Sequence, residues 1–257
     1  MPRNRLLTLI VASVLIPGAA AAQSYHFTPQ LGRNDRLDLS NVNGDIIVDR
    51  ATGSTTDITA DKVVKRGNGD LVTVVMEQGN NEVHVCTVFL DSPGDHAACG
   101  QGRHNDHNDN SDIEVTYHVH LAAGVELDAG TVNGSVKATG IDAAKGLHSV
   151  NGDVDYTGAP PASIGTVNGN VTATMTQGTW DGRMTVDNVN GSIDLTFPAD
   201  LSASVSGNSV NGGVSSDFPV TIQGRWGPRT FTGRIGSGSA ELHITTVNGS
   251  VSLHKKG

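Results

Sequence analysis

Val132-Asn133-Gly134-Ser135-Val136 is one of seven copies of the motif that decides the fold of this 257-residue chain. Each copy has an apolar residue, Asn-Gly, one small or acidic residue and a second β-branched residue. The Asn-Gly pairs are Asn43-Gly44, Asn133-Gly134, Asn151-Gly152, Asn168-Gly169, Asn190-Gly191, Asn211-Gly212 and Asn248-Gly249. Self-similarity at a nearly constant interval predicts a solenoid, in which each unit buries its apolar face against its neighbours.

The spacing of the copies supports this prediction. From Asn133 onward the intervals are 18, 17, 22, 21 and 37 residues. The last interval is about two units long, and residues 230–235 in its middle keep the apolar-x-Gly-x-apolar frame, with Thr232 in place of Asn. We interpret 230–235 as an additional, degenerate unit, so that 131–257 forms a β-solenoid repeat region with a period of roughly 19 residues.

Within a unit the apolar residues alternate, as in Val132, Gly134, Val136 and Ala138. A period of two with β-branched residues predicts a strand that buries one face. Asn-Gly tolerates positive φ and marks a turn or a corner. Stacked corners are favoured over separate hairpins, because hairpins rarely recur so regularly. The Asn side chains would then stack and hydrogen-bond along the solenoid; the alternative is a row that reads a ligand.

The region 23–130 has a different organisation. Strand-like segments occupy 36–39, 45–48, 57–65, 71–77, 82–90, 112–121 and 125–127. Segments 67–70 and 79–81 have hairpin composition, which favours antiparallel pairing. We therefore expect an N-terminal antiparallel β cap that covers the open edge of the solenoid.

Composition and the N-terminus indicate the compartment. The chain has 26 acidic and 17 basic residues, which argues against nucleic acid as a partner. Arg3 and Arg5 precede the apolar run 6–16 and the small residues 20–22, which together predict a signal peptide over 1–22. The apolar run is too short to span a bilayer, and no Cys at the cleavage point could take a lipid. A periplasmic or secreted protein beginning at Gln23 is expected.

Cys86 and Cys99 are the two cysteines of the chain. In an oxidising compartment an even pair favours a disulfide. The alternative is a metal site, since His96, His104 and His107 are close in sequence.

An insertion at about 90–111 ends in a very polar stretch that contains His104 and His107. Two imidazoles three residues apart could share copper, zinc or nickel, but a solvated loop is the favoured interpretation. His118 and His120 alternate on a predicted strand and are expected to be exposed on one face.

Catalytic patterns are weak in this sequence. Asp45 and Asp153 occupy the same place in units far apart, and Trp180 and Trp226 are the only tryptophans. Asp181 and Asp187 have no partner pattern, and the chain contains no nucleophile elbow, zinc helix or phosphate loop. We expect a protein without catalytic residues or a cofactor.

Three segments together resemble the DUF4097 family of β-strand-repeat proteins, which are labelled putative adhesins. They are Ser-Asn-Val-Asn-Gly-Asp-Ile at 40–46, the stretch 114–127 (EVTYHVHLAAGVEL), and the series of Thr/Ser-Val-Asn-Gly-x-Val units. The resemblance implies a β-solenoid at the bacterial cell envelope and carries over no catalytic residues. The insertion at 90–111 departs from the family pattern.

The expected function is therefore that of an exported, non-enzymatic binding surface for a glycan, peptidoglycan or another envelope protein. Two alternatives from other classes remain, a carbohydrate-active β-helix enzyme and a periplasmic metal-binding protein.

Overall fold

Alternating apolar residues and Asn-Gly corners fold the chain into two β-sheets that share one core. A computed structural model describes residues 7–8, 22–100, 111–224 and 227–257. These residues contain no α-helix, and one 3-10 turn spans Gly69–Leu71. No helix in this part of the chain is long and apolar enough to cross a membrane.

The first strands lie between the N-terminus and the second copy of the motif. They are β1 (Leu7–Thr8), β2 (Ala22–Phe27), β3 (Arg36–Ser40), β4 (Ile46–Arg50), β5 (Asp57–Arg66), β6 (Val72–Gln78), β7 (Glu82–Phe89), β8 (Asp112–Leu121) and β9 (Glu126–Asn133).

The remaining strands follow the second Asn-Gly corner. They are β10 (Val136–Ile141), β11 (Ala144–Asn151), β12 (Val154–Gly158), β13 (Ser163–Asn168), β14 (Val171–Met175), β15 (Arg183–Asn190), β16 (Ile193–Phe197), β17 (Ala203–Asn211), β18 (Val214–Ser216), β19 (Thr221–Gln223), β20 (Arg229–Ile235), β21 (Ala240–Asn248) and β22 (Val251–Lys255).

Each repeat forms one rung, with one strand in each sheet and an Asn-Gly corner between them. Within the described residues, sheet 1 has the order β1-β6-β7-β3-β9-β11-β13-β15-β21-β17-β20-β19, and sheet 2 has the order β18-β22-β16-β14-β12-β10-β4-β8-β5-β2. Neighbouring rungs pair in parallel, as β11 does with β13 and β12 with β14. The predicted all-β, solenoid-like stack is confirmed, although the two sheets do not close into a tube.

The core lies between the sheets and is aliphatic. In six of the seven motifs the β-branched residue that ends the motif enters a row of side chains with no solvent exposure, whereas Val214 is partly buried. The row contains Ile46, Val136, Val154, Val171, Ile193 and Val251. Because the strands are parallel and in register, equal positions of successive repeats stack directly on one another.

The rungs do not follow sequence order at the C-terminal end. β21, which carries the last copy, lies between β15 and β17. The prediction of an additional unit at 230–235 is wrong, because these residues belong to β20, which pairs antiparallel with β17 and with β19. The 37-residue interval between Asn211 and Asn248 instead contains β19 and β20, and β20 pairs antiparallel along the outer edge of β17.

The N-terminal region is only partly the predicted antiparallel cap. β6 pairs antiparallel with β7 across 79–81, and β5 pairs antiparallel with both β2 and β8. β3 and β4, however, form a rung that is parallel to β9 and β10. Segment 67–70 is not a hairpin turn, because β5 lies in sheet 2 and β6 in sheet 1.

The sulfurs of Cys86 and Cys99 are bonded, with their Cα atoms 5.7 Å apart. The bridge fastens the segment after β7 to a small second core of Val75, Val88 and Leu90. It therefore holds in place a part of the insertion that sheet hydrogen bonds do not reach.

Candidate functional site

The Asn side chains of the seven corners form one continuous ladder along an edge of the stack. In each step the Nδ2 of one Asn donates to the Oδ1 of the neighbouring Asn at 2.8–2.9 Å. The order is Asn43, Asn133, Asn151, Asn168, Asn190, Asn248 and Asn211. The predicted stacking of corners is confirmed. Each interior amide also keeps one N–H that the ladder does not use.

The corner glycines bring successive backbones closer than any side chain would allow. A Cβ on Gly152 would lie 2.1 Å from the carbonyl oxygen of Gly134, and one on Gly134 would lie 2.1 Å from that of Gly44. Corner glycine carbonyls also accept hydrogen bonds from the next rung: Ser149 Oγ donates to Gly134 O at 2.7 Å. Thr166 Oγ1 donates to Gly152 O at 2.8 Å. The corner is therefore a tightly packed and hydrogen-bonded unit.

In five of the seven corners the Val before the Asn is exposed, contrary to the predicted alternation. Val132 is 39% exposed whereas Val136 is 0% exposed. Thr131 is buried at the end of the preceding strand, so the corner interrupts the period of two and both Val132 and Asn133 face outward. The outward valines are 36–39% exposed and form a row on five consecutive rungs: Val132, Val150, Val167, Val189 and Val247. We call this row and the Asn ladder together the corner face.

The recurring acids accept hydrogen bonds from the backbone at the corners. Asp45 Oδ1 accepts from the backbone N–H of Ser135 at 2.7 Å, and Asp153 Oδ1 accepts from that of Asn170 at 2.7 Å. Ser135 lies between the two acids, since its Oγ accepts from Asp153 N at 3.3 Å. Asp45 and Asp153 therefore bind neighbouring rungs and do not converge on one another.

The outer face of sheet 1 carries a cluster of ionisable groups. Burial, followed by the nearby Asp38 carboxylate, raises the pKa of Asp128, against the opposing effect of Lys145 at 3.8 Å. Burial lowers the pKa of His148, although Asp128 and Asp187 act in the opposite direction. His148 Nε2 lies 3.0 Å from Ser163 Oγ. We expect this cluster to make the stability of the sheet depend on pH.

A cleft of about 840 Å³ lies on the edge opposite the corner face, and we call it the loop-edge cleft. It is formed by loops 142–143, 159–162 and 176–182, which return the chain from sheet 2 to sheet 1. Trp180 lines it and stacks on Phe197 with ring centroids 6.0 Å apart and 21° between the planes. The Trp180 Nε1 is buried and has no hydrogen-bond partner among the described residues.

A second cleft, of about 680 Å³, lies between β2 and β6, near one end of the two sheets. Its walls include Tyr25, Phe27 and Met76. The Nζ of Lys62 donates to the carbonyls of Gly69 and Val72, each at 2.9 Å. Burial lowers the pKa of Lys62. The two backbone carbonyls are the hydrogen-bond acceptors that hold its ammonium group in a largely apolar wall.

Comparison with known proteins places this architecture in a family. The Toastrack DUF4097 family model matches residues 31–254. The chain belongs to the DUF4097 family. A search of curated proteins found no significant match.

Two solved structures are similar to this DUF4097 protein. A putative cell adhesion protein from Clostridium sporogenes has 11% identity and a TM-score of 0.50, with 91% of this chain and 100% of that chain covered. A putative adhesin from Bacteroides fragilis has 9% identity and a TM-score of 0.27, with 90% of this chain and 96% of that chain covered. At this identity the first likeness supports the fold alone.

The remaining predicted residues of the DUF4097 chain lie partly outside the part that the structure describes. His104 and His107 lie outside the described residues, and so does Trp226. His118 and His120 are exposed on one face of β8, as predicted. Within the described part of the chain, no group of three or more His, Cys, Asp or Glu side chains is placed to hold a metal.

Sequence reasoning missed the loop-edge cleft. Trp180 and Asp181 were visible as an aromatic residue next to an acid, but their partners come from loops of other rungs. The only signal was the variation in repeat length, because the longest loop, 176–182, falls in the interval of 22 residues from Asn168 to Asn190.

Proposed function

We propose that this DUF4097 protein is an exported, non-enzymatic scaffold whose corner face binds an extended component of the cell envelope. The observation that carries the proposal is the row of five outward valines beside the Asn ladder. A contiguous patch of solvent-exposed apolar side chains usually marks a binding surface.

The geometry of the corner face suits a long, regular partner. Adjacent strands are about 4.8 Å apart, so five rungs carry the apolar row over about 20 Å. The ladder and the buried corner hydrogen bonds hold both rows rigid, which reduces the entropy lost on binding. A glycan strand, peptidoglycan or an extended protein segment would present matching repeats.

The proposed location outside the cytoplasm has separate support. The Cys86–Cys99 disulfide is typical of oxidising compartments. The leader-like sequence 1–22 and the cell adhesion description of the Clostridium sporogenes protein agree with export. N-terminal sequencing of protein recovered from the periplasm or medium should begin at Gln23.

The absence of catalysis is part of the proposal. Its support is that Asp45 and Asp153, the recurring acids, are each hydrogen-bonded to a backbone N–H of the stack. Metal binding at His104 and His107 is the separate alternative, and a rise in melting temperature with zinc or copper that is lost in the double Ala variant would favour it.

The corner face is tested by replacing Val150, Val167 and Val189 together with Thr, which keeps the β-branched shape and removes apolar surface. Purified wild type and variant, immobilised on beads, are compared for retention of labelled envelope material. We expect retention to fall at least fivefold with little change in melting temperature. Ile222→Thr, at an exposed apolar residue outside the row, is the control. Equal retention by wild type and triple variant would contradict the proposal.

A further inference from the structure

We infer that the loop-edge cleft is a binding site for a neutral saccharide, with Trp180 as its stacking platform. This goes beyond the proposed function, because the cleft lies on the opposite edge from the corner face and uses none of its residues.

The walls of the cleft are rigid before any ligand arrives. Backbone hydrogen bonds join each loop to the next rung: Ala159 N donates to Ile141 O at 2.9 Å, and Thr176 N donates to Gly158 O at 2.8 Å. Ser202 N donates to Gly178 O at 2.8 Å. A cavity with such fixed walls loses little conformational entropy when it is filled.

The apolar part of the wall consists of flat, stiff rings. Trp180 is held by its stacking on Phe197, and the pyrrolidine rings of Pro160 and Pro161 also line the cleft. An aromatic ring offers a broad apolar surface at low entropic cost, which suits the C–H face of a sugar ring.

The polar part of the wall suits hydroxyl groups. Asp181 and Gln177 are exposed in the cleft, and neither side chain makes a hydrogen bond or ion pair with another described residue. A carboxylate accepts two hydrogen bonds side by side, and an amide donates and accepts, so both match vicinal hydroxyls. These are polar groups available to a ligand without breaking internal contacts.

The charge of the cleft selects among saccharides. Four charged side chains line it: Glu126, Asp142, Asp181 and Arg183. Glu126 and Asp142 pair with Arg36 and Arg50, and Arg183 pairs with Glu241 at 2.8 Å, so among the described residues Asp181 is the charge of the lining that has no ion pair. The local field is therefore negative and disfavours uronates and other anionic sugars. A neutral saccharide is the class that the walls fit.

The test is calorimetric titration of the full chain with neutral tetrasaccharides of glucose, N-acetylglucosamine, mannose and galactose, and with tetragalacturonate as the anionic probe. We expect at least one neutral probe to bind and the anionic probe to bind more weakly. Asp181→Ala combined with Gln177→Ala should weaken binding at least tenfold without lowering the melting temperature, since both residues are exposed. Asp155→Ala, an exposed carboxylate on sheet 2, should bind as wild type does.

Trp180→Phe keeps a ring against Phe197 and should weaken binding several-fold. The inference is overturned if no neutral probe binds, if tetragalacturonate binds as tightly, or if the double variant retains wild-type affinity. The triple Val→Thr variant of the corner face should bind the saccharide normally. If this triple variant no longer binds the saccharide, the saccharide binds at the corner face and its assignment to the loop-edge cleft is wrong.

Discussion

The side-chain amide of Asn248 donates to Asn190 Oδ1 at 2.8 Å, across a sequence separation of 58 residues. Asn211 in turn donates to Asn248 at 2.9 Å. The last repeat of the chain is thus inserted between the fifth and the sixth, and the ladder continues through it without interruption. Identical corners can stack in any order, because each presents the same donor and the same acceptor.

The ladder predicts a difference between interior and terminal Asn residues. Asn168→Ala removes two amide hydrogen bonds, whereas Asn211→Ala removes one. Each exposed bond contributes about 0.5–1 kcal/mol, so the interior change should lower the free energy of unfolding about twice as much. Urea denaturation of both variants measures this. A terminal variant as destabilised as the interior one would argue against additive pairing along the ladder.

Corner glycines should be intolerant of any side chain. Gly152→Ala places a Cβ 2.1 Å from the Gly134 carbonyl oxygen, so the two rungs must separate. We expect a loss of at least about 2 kcal/mol in the free energy of unfolding. Gly53→Ala is the matched control, since an added Cβ there meets nothing within 4 Å. A Gly152 variant with unchanged thermal melting would refute the close packing of corners.

The inward and outward valines of one repeat should differ in their contribution to stability. Val171 is completely buried and Val167 is 38% exposed. Val171→Ala should lower the free energy of unfolding by about 1–4 kcal/mol through lost burial and cavity formation. Val167→Ala should change it by less than about 0.5 kcal/mol. Chemical denaturation of both variants measures the difference. Similar losses in the free energy of unfolding would mean that the outward valines are also packed in solution.

His148 should make stability depend on pH in the mildly acidic range. The pKa of His148 is lowered in the folded state. The neutral imidazole therefore makes its full contribution to folding stability above the ordinary histidine pKa of about 6.5. That contribution is lost as the pH falls towards the folded-state pKa, because the unfolded chain takes up the proton more readily.

The measurement is the melting temperature between pH 7.5 and 5 for wild type, His148→Gln and the exposed control His118→Gln. Relative to His148→Gln, wild type should lose stability as the pH falls. The control should follow wild type. A constant difference between wild type and His148→Gln would show that burial does not disfavour the imidazolium.

The disulfide should stabilise the insertion more than the stack. Cys86 and Cys99 are 13 residues apart, and a loop of this size contributes roughly 3 kcal/mol in the chain-entropy model. After reduction, amide hydrogen exchange should accelerate around Val88 and Leu90, while the corners keep their protection. Labelling of unfolded, unreduced protein should find no free thiol; two labelled cysteines would mean that the protein lacks the bridge.

The sequence by itself determined the solenoid-like stack, since seven Val-Asn-Gly motifs impose similar corners and equal positions of parallel strands must stack. Tertiary structure decided the rest. β20 pairs antiparallel along one edge of β17, so β21 can pair only along the other edge of β17. The long connection between β17 and β21 is tolerated because the entropic cost of closing a loop grows slowly with its length. Val132 turns outward because the corner shifts the alternation between strands. Trp180 and Pro160 meet in one cleft only because their rungs are neighbours, a proximity that no local pattern encodes.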